Sequence, residues 1–149
     1  MQREPYVRSN DVALLIARIC LAALFLFGAT RKLGNPIGLA PLIAAKGLPF
    51  PEVLSALALL AEIGGTVLLL TGFIPRFTAI GLAVFVVMAT WIGHSFWTYP
   101  PEAQAGQVIH LFKNVAIIGG LVLYLASGPG RFSLSVKRTP LVGARGPNI

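Results

Sequence analysis

Charged residues are scarce in this sequence. Of its 149 residues, 11% are Asp, Glu, Lys or Arg and 56% are hydrophobic, whereas roughly 25% of the residues of a soluble globular domain are charged. A soluble domain of this length could not cover so much apolar surface, so the composition excludes that class. Because the apolar stretches use most of the chain, no part of it is left for a soluble catalytic domain.

Cysteine is nearly absent, since Cys20 is the single cysteine of the chain. One cysteine excludes an internal disulfide relay, a CxxC redox pair and an iron–sulfur cluster ligated by cysteines of one subunit. The sequence also has no nucleotide-binding fingerprint. Redox chemistry by this protein would therefore need another redox group.

Long stretches with few charges are what the sequence does contain. No charge lies between Arg76 and Glu102, and three further windows hold one charge each, namely Arg18, Glu62 and Lys113. Each window can supply the roughly 20 apolar residues of a membrane-crossing helix. All 11 prolines lie near the ends of these windows or outside them, where they interrupt no predicted helix. The pattern predicts helices at 12–32, 52–72, 76–97 and 107–127.

These helices predict an all-α integral membrane four-helix bundle at 12–127, between an N-terminal segment at 1–11 and a basic tail at 128–149. Seven basic residues lie on the side that would hold both termini and the second connection: Arg3, Arg8, Arg76, Arg131, Lys137, Arg138 and Arg145. Three lie on the opposite side: Arg31, Lys32 and Lys46. The positive-inside rule therefore predicts that both termini are cytoplasmic. The net charge of the chain is +7. Because most of its basic residues lie on one side of the membrane, we expect them to contact lipid headgroups rather than nucleic acid.

The first outer connection, at 34–51, contains an apolar stretch that is too short to span a membrane. It could form a short interfacial or re-entrant helix that acts as a lid over the outer end of the bundle. The alternative is an interfacial loop that only covers helix ends, and we favour the loop.

Paired glycines occur in the second and fourth predicted helices, at Gly64-Gly65 and Gly119-Gly120. Glycines let helix backbones approach closely in lipid, so we expect these two helices to cross there. Gly81 and Gly93 on the third helix mark a further packing face, which is compatible with a homodimer.

Two opposite charges, Arg18 and Glu62, are predicted near the middle of the first and second helices. A lone charge at the bilayer centre costs about 2.5–3.5 kcal/mol, so these residues are natural partners for each other. The pair has two interpretations of similar weight. It could be an ion pair that only fixes assembly, or Glu62 could be a catalytic proton carrier that Arg18 tunes.

A second polar group is predicted nearer the outer face, where the third helix ends and the fourth begins. Its members recur at three- and four-residue spacing and so share a helix face. They are Thr90, His94 and Trp97 on the third helix and Gln107, His110, Lys113 and Asn114 on the fourth. A pocket that contains His94, His110, Lys113 and Asn114 suits an amphipathic ring such as a quinone, and equally a small neutral solute. For Trp97, a place in the interfacial aromatic belt is the favoured alternative to a binding role.

Two histidines at similar depth also raise the question of a haem or metal site. The sequence has no HxxxH pair and no Asp cluster. Histidines that hydrogen-bond or titrate are therefore favoured, and we expect no metal and no intrinsic cofactor.

Several segments together resemble the DoxX family of small bacterial membrane proteins, over about residues 11–135. They are LIARI at 15–19, FLFG at 25–28, KL at 32–33, LPFP at 48–51, AEIGG at 61–65, LTG at 70–72, HSFW at 94–97, FKNVAIIGG at 112–120 and GPGR at 128–131. The resemblance implies a four-helix bundle in the bacterial inner membrane. The family is named for its similarity to a subunit of a thiosulfate:quinone oxidoreductase. The resemblance therefore implies that the protein is a subunit of a membrane oxidoreductase system. It implies quinone as the substrate and a soluble or membrane subunit as the redox partner.

Three hypotheses follow. In the first, favoured on the resemblance, the protein is a quinone-binding redox subunit in which His94 and Lys113 contact the ring oxygens, Glu62 relays protons and Arg18 tunes Glu62. In the second, the same residues serve a small-solute or proton-coupled transporter. In the third, the protein is a non-catalytic membrane scaffold whose ion pairs only hold the bundle together.

Overall fold

Four long helices dominate the computed structural model, which describes residues 4–135. They are α1 (Glu4–Leu33), α3 (Pro51–Thr71), α4 (Pro75–Gly93) and α5 (Pro101–Ser127), with a short α2 (Ala40–Ala45) and a 3₁₀ turn at Phe96–Thr98. Each long helix includes or forms part of a segment that is long and apolar enough to cross a membrane: Asn10–Leu33, Pro51–Thr71, Pro75–Thr98 and Pro101–Ser127. The predicted all-α membrane bundle is confirmed.

The helix boundaries differ from the predicted ones at three places. At the inner end, α1 begins at Glu4 rather than at residue 12, so it includes most of the predicted N-terminal segment. α4 ends at Gly93 rather than at residue 97, and α5 begins at Pro101 rather than at residue 107. Proline at the first helical position needs no hydrogen bond for its missing N–H, so α5 starts there although its first turns are polar. With 27 residues, α5 is roughly 40 Å long and exceeds the hydrocarbon core of about 30 Å.

The first outer connection forms a helix rather than only a loop. The Ser55 hydroxyl of α3 donates to the Pro36 carbonyl at 2.8 Å and accepts from the Leu39 amide at 3.1 Å. Ala40 and Ile43 are buried, and α2 packs on α3 and α4. The favoured loop interpretation is therefore wrong for 40–45, because two apolar residues at helical spacing can be buried against the outer ends of the long helices.

In the bundle, α1 packs on α3, α3 on α4, α4 on α5 and α5 on α1. α3 and α5 lie diagonally, and their backbones make no close approach. The predicted crossing of these two helices is therefore wrong. Gly65 instead faces Leu82 on α4, and Gly120 faces Leu21 on α1. Each glycine therefore makes room for a neighbouring helix and not for the helix diagonally across the bundle.

The inner end is the end at which α1 begins and α5 ends. There the chain after α5 folds back under the bundle. The Leu134 amide donates to the Thr71 carbonyl at 2.8 Å, and the Arg131 amide donates to Asp11 Oδ1 at 2.9 Å. Lys137, Arg138 and Arg145 of the predicted tail, and Arg3, lie outside the described residues.

Candidate functional site

Arg18 is the most deeply buried charge of the bundle, with 1% of its surface exposed. Nε donates to the Leu69 carbonyl at 2.8 Å, and Nη2 donates to the Leu70 carbonyl. Nη1 donates to the carbonyls of Pro129 at 2.9 Å and Phe132 at 2.5 Å. The last carbonyls of a helix have no partner within it and carry partial negative charge, so Arg18 completes the C-terminus of α3. It also ties the segment after α5 to the bundle.

The predicted partnership of Arg18 with Glu62 is wrong. Glu62 packs against Gly28 of α1, whereas Arg18 bonds to Leu69 and Leu70, near the inner end of α3. Arg18 and Gly28 are ten residues apart, or about 15 Å along α1. The antiparallel register of α1 on α3 therefore separates the two charges. The prediction estimated the depth of each charge in its own helix, and such an estimate does not include the register between the helices.

The partner of Glu62 is Lys32. Lys32 Nζ lies 2.7 Å from Glu62 Oε1 and 2.8 Å from Oε2, and 3.3 Å from the Gly28 carbonyl. The side chains are 21% and 9% exposed. A Cβ at position 28 would lie 2.7 Å from Oε1, so glycine is needed for this approach. From the sequence, Lys32 is only one of the basic residues of the outer side. The signal that could have found the pair is the position of Lys32 one turn beyond Gly28, from which a flexible stem can reach inward.

Four members of the predicted outer polar group lie together between the end of α4 and the first half of α5. His94 and His110 stack with ring centroids 4.7 Å apart and an angle of 24° between their planes. His94 Nδ1 lies 2.8 Å from Gln107 Oε1, and Lys113 Nζ lies 3.2 Å from His110 Nδ1. We refer to His94, Gln107, His110 and Lys113 as the outer cluster.

The hydrogen bonds of the outer cluster give its two histidines opposite tautomers. With the Gln107 amide oriented so that Oε1 faces the ring, His94 Nδ1 carries the proton and neutral His94 keeps an unprotonated Nε2. The Lys113 ammonium can only donate, so His110 Nδ1 accepts and neutral His110 keeps its proton on Nε2. The stacked rings therefore leave one acceptor and one donor for a further molecule.

Asn114 and Trp97 do not join the outer cluster directly. Asn114 is buried and donates to Thr90 Oγ1 at 2.9 Å, which makes it a clasp between α5 and α4. Trp97 is 61% exposed and packs edge-on against Phe96, with ring centroids 5.1 Å apart. That environment matches a residue of the interfacial aromatic belt.

Glu62 also stands apart from the outer cluster. Within residues 4–135, no hydrogen bond connects Glu62 or Lys32 to Gln107, His110 or Lys113. Lys113 does not reach Glu62, because Lys113 lies on α5, diagonally opposite α3. The same part of the chain has no group of three or more His, Cys, Asp or Glu residues that could hold a metal ion.

Comparison with known proteins identifies the family of this bundle. The model of the DoxX family matches residues 13–95, which include α1 from residue 13 onward, α2 to α4 and the first histidine of the outer cluster. The chain belongs to the DoxX family. It is 32% identical over 127 residues to Inner membrane protein YphA of Escherichia coli strain K12, which covers 85% of this chain and 90% of YphA.

Two further relatives extend the comparison. Inner membrane protein YqjF of the same strain is 32% identical over 125 residues, which covers 84% of this chain and 91% of YqjF. A Surfeit locus protein 4 homolog of Schizosaccharomyces pombe is 33% identical over 69 residues, or 45% of this chain and 23% of that protein. No solved structure matches the chain. The inner membrane relatives and the four spanning helices make this DoxX protein a multi-pass protein of the inner membrane.

Proposed function

We propose that this DoxX protein is the quinone-interacting subunit of a membrane oxidoreductase system, and that the outer cluster binds the quinone ring. The observation that supports this most is the pair of stacked histidines with opposite tautomers. A ligand that alternates between carbonyl and hydroxyl forms needs both a donor and an acceptor at its oxygens, and the pair offers both.

The residues of the outer cluster divide the work by their hydrogen bonds. The His110 Nε2 proton is donated to a carbonyl oxygen of the oxidised ring, and His94 Nε2 accepts the proton of a ring hydroxyl in the reduced form. Lys113 keeps the His110 proton on Nε2, and Gln107 does the reverse for His94. Ile109 and Phe112 are exposed beside these residues on α5 and provide an apolar surface for an isoprenoid tail.

Electrons must come from a partner. Reduction of a quinone to a quinol takes up two electrons and two protons, and the single cysteine of this chain cannot form an internal dithiol donor. We assign the electrons to a soluble or membrane redox subunit, and the protons to the aqueous side of the outer end. Proton relay by Glu62 stays a prediction, although Glu62 does not touch the outer cluster. Arg18 contacts neither Glu62 nor the outer cluster, so we assign it no part in tuning Glu62.

The test is quinone content after gentle purification in detergent, measured by lipid extraction and mass spectrometry with an absorption spectrum. Wild type is compared with the double variant His94→Ala, Lys113→Ala and with Glu102→Gln, an exposed charge on the first turn of α5. We expect near-stoichiometric quinone in wild type and Glu102→Gln, and loss in the double variant with its helix content retained. A wild-type protein free of quinone, or equal quinone in all three, would contradict the proposal.

Proton-coupled transport is the second candidate. The Lys32–Glu62 ion pair lies within the membrane-spanning part of the bundle and is only partly shielded from its surroundings. Such a pair can exchange a proton or a cation with a translocated solute. Solute uptake that follows the proton gradient, is lost in Glu62→Gln and is unchanged in the outer-cluster double variant would favour this function over quinone binding.

A further inference from the structure

A groove of about 290 Å³ runs between α1 and α5 in the inner half of the bundle. α1 and α5 share the smallest contact among the four neighbouring pairs of long helices. The walls are mainly apolar, with Leu14, Ala17 and Leu21 on α1 and Leu123 on α5. The groove is open on the side that faces lipid, and its volume is near the lower end of the roughly 300–1,000 Å³ typical of ligand pockets. It can hold part of one acyl chain of a lipid but not a whole lipid.

Gly120 keeps the deep end of this α1–α5 groove open. A Cβ at position 120 would lie 3.4 Å from Leu21 Cδ2, so any larger side chain would extend into the space between the helices. The neighbouring Gly119 is exposed, and a Cβ there would have no atom within 4 Å. The two glycines therefore form a natural pair of positions, one inside the groove and one outside it.

Two hydrogen-bond donors that lack an acceptor within the described residues are buried directly behind the walls of the groove. Tyr124 is 4% exposed and lines the groove, and its buried hydroxyl has no hydrogen-bond partner within residues 4–135. Arg18 has five N–H groups, and the four carbonyls it contacts leave one on Nη2. A buried donor without an acceptor costs about 1–3 kcal/mol. The complementary ligand is thus an apolar molecule with an acceptor oxygen.

The position of the groove in the membrane selects among such molecules. Its mouth is at Ser127, the last residue of α5, and Gly120 lies seven residues deeper, or about 10 Å. This depth range begins at the boundary between headgroups and hydrocarbon, where phospholipid ester carbonyls lie. An acyl chain in the groove would carry its ester to the level of Tyr124 and Arg18.

An exposed cation at the mouth selects the headgroup. The Arg131 amide is fixed to Asp11, while a Cβ at the preceding Gly130 would lie 3.3 Å from the groove-lining Leu14. The Arg131 side chain is exposed, so it is free to reach a phosphate. Basic residues at the inner ends of transmembrane helices attract anionic lipid headgroups.

We propose that the α1–α5 groove is a binding site for one anionic phospholipid of the inner leaflet. One acyl chain lies along Leu14, Leu21 and Gly120, the ester carbonyl accepts from Tyr124, and the phosphate contacts Arg131. This site lies at the opposite end of the bundle from the outer cluster and does not depend on the proposed quinone function.

The experiment is native mass spectrometry of the full chain in detergent after incubation with phosphatidylglycerol or phosphatidylcholine. Arg131→Gln removes the cation and Gly120→Leu fills the groove. The matched controls are Arg76→Gln, an exposed arginine at the inner end of α4, and Gly119→Leu, on the outside of the same helix turn. Arg131→Gln changes no packed side chain, so it tests the site even if Gly120→Leu fails to fold.

We expect wild type and both controls to retain one phosphatidylglycerol. Arg131→Gln should lower retention about fivefold, as loss of one basic group near a membrane surface does, and Gly120→Leu should abolish it. Phosphatidylcholine should be retained about as weakly by wild type as phosphatidylglycerol is by Arg131→Gln. Unchanged retention in both groove variants would overturn the proposal. Equal retention of the two lipids would overturn the proposed selection of an anionic headgroup. If a quinone were recovered from wild type instead and were lost in Gly120→Leu, the groove would be assigned to a neutral lipid.

Discussion

The inner and outer ends of this bundle use charged and polar residues in opposite ways. At the inner end, Arg18 is buried and donates to four backbone carbonyls from two separate segments. At the outer end, His94, His110 and Lys113 are partly or fully exposed and bond mainly to one another. A charge whose donors are nearly all used by the backbone stabilises the fold. Residues that keep free donor and acceptor atoms are available for a ligand.

The largest expected effect is on Arg18. Arg18→Met leaves the carbonyls at the inner end of α3 and after α5 without their donor, so we expect a loss of about 3–5 kcal/mol in unfolding free energy. Arg18→Lys should rescue little, since one ammonium cannot reach carbonyls on both segments. Denaturant unfolding in micelles measures this. A cost below about 1 kcal/mol would show that the inner end is not organised by Arg18.

Gly28 should give the next largest effect. Gly28→Ala places a Cβ 2.7 Å from Glu62 Oε1, and such overpacking costs typically about 1–3 kcal/mol. Gly119→Ala adds the same methyl group in open space and is the control. Thermal unfolding of both variants should show a lowered midpoint for Gly28→Ala alone. Equal midpoints would mean that α1 and α3 do not pack as closely at Gly28 as the structure shows.

Double-mutant cycles test whether Glu62 interacts with Lys32, its partner in the structure, or with Arg18, the partner predicted from the sequence. Lys32→Met and Glu62→Gln should couple by about 1 kcal/mol, because the two side chains are in direct contact. Arg18→Met and Glu62→Gln should be additive within about 0.5 kcal/mol. Coupling between Arg18 and Glu62 would restore the ion pair that the register of α1 on α3 excludes.

Glu62→Gln also tests the scaffold hypothesis. If this variant folds normally but abolishes a cellular phenotype, the ion pair does more than hold the bundle together. A phenotype that persists whenever the fold persists would leave Glu62 with a structural role.

The smallest effect on stability is expected in the outer cluster. Lys113 is exposed and bonds only to His110 within the described chain, so Lys113→Ala should change the unfolding free energy by no more than about 0.5 kcal/mol. Its effect should instead appear in quinone content, which distinguishes a ligand-binding residue from a stabilising one. A large loss of stability without a change in bound quinone would mean that the outer cluster stabilises the fold, as Arg18 does at the inner end, and does not bind a ligand.

Much of the fold could be predicted from the sequence because its signals are local. Low charge, windows with at most one charge and proline positions identify the four spans, and helical spacing puts His110 and Lys113 on one face of α5. Only the structure shows that His94 stacks on His110. Proline at the start of α3, α4 and α5 is also a local signal. Only polar first turns hid the beginning of α5.

The errors concern relations between helices. The sequence by itself determined that the chain spans the membrane, how many times, and which costly charges lie within it, since each depends on transfer of short segments into hydrocarbon. Tertiary structure alone decided that Lys32 and not Arg18 meets Glu62, that Gly65 and Gly120 contact Leu82 and Leu21, and that Arg18 binds the segment after α5. These contacts depend on the order and register of packed helices, and small differences in packing energy summed over whole interfaces set that register.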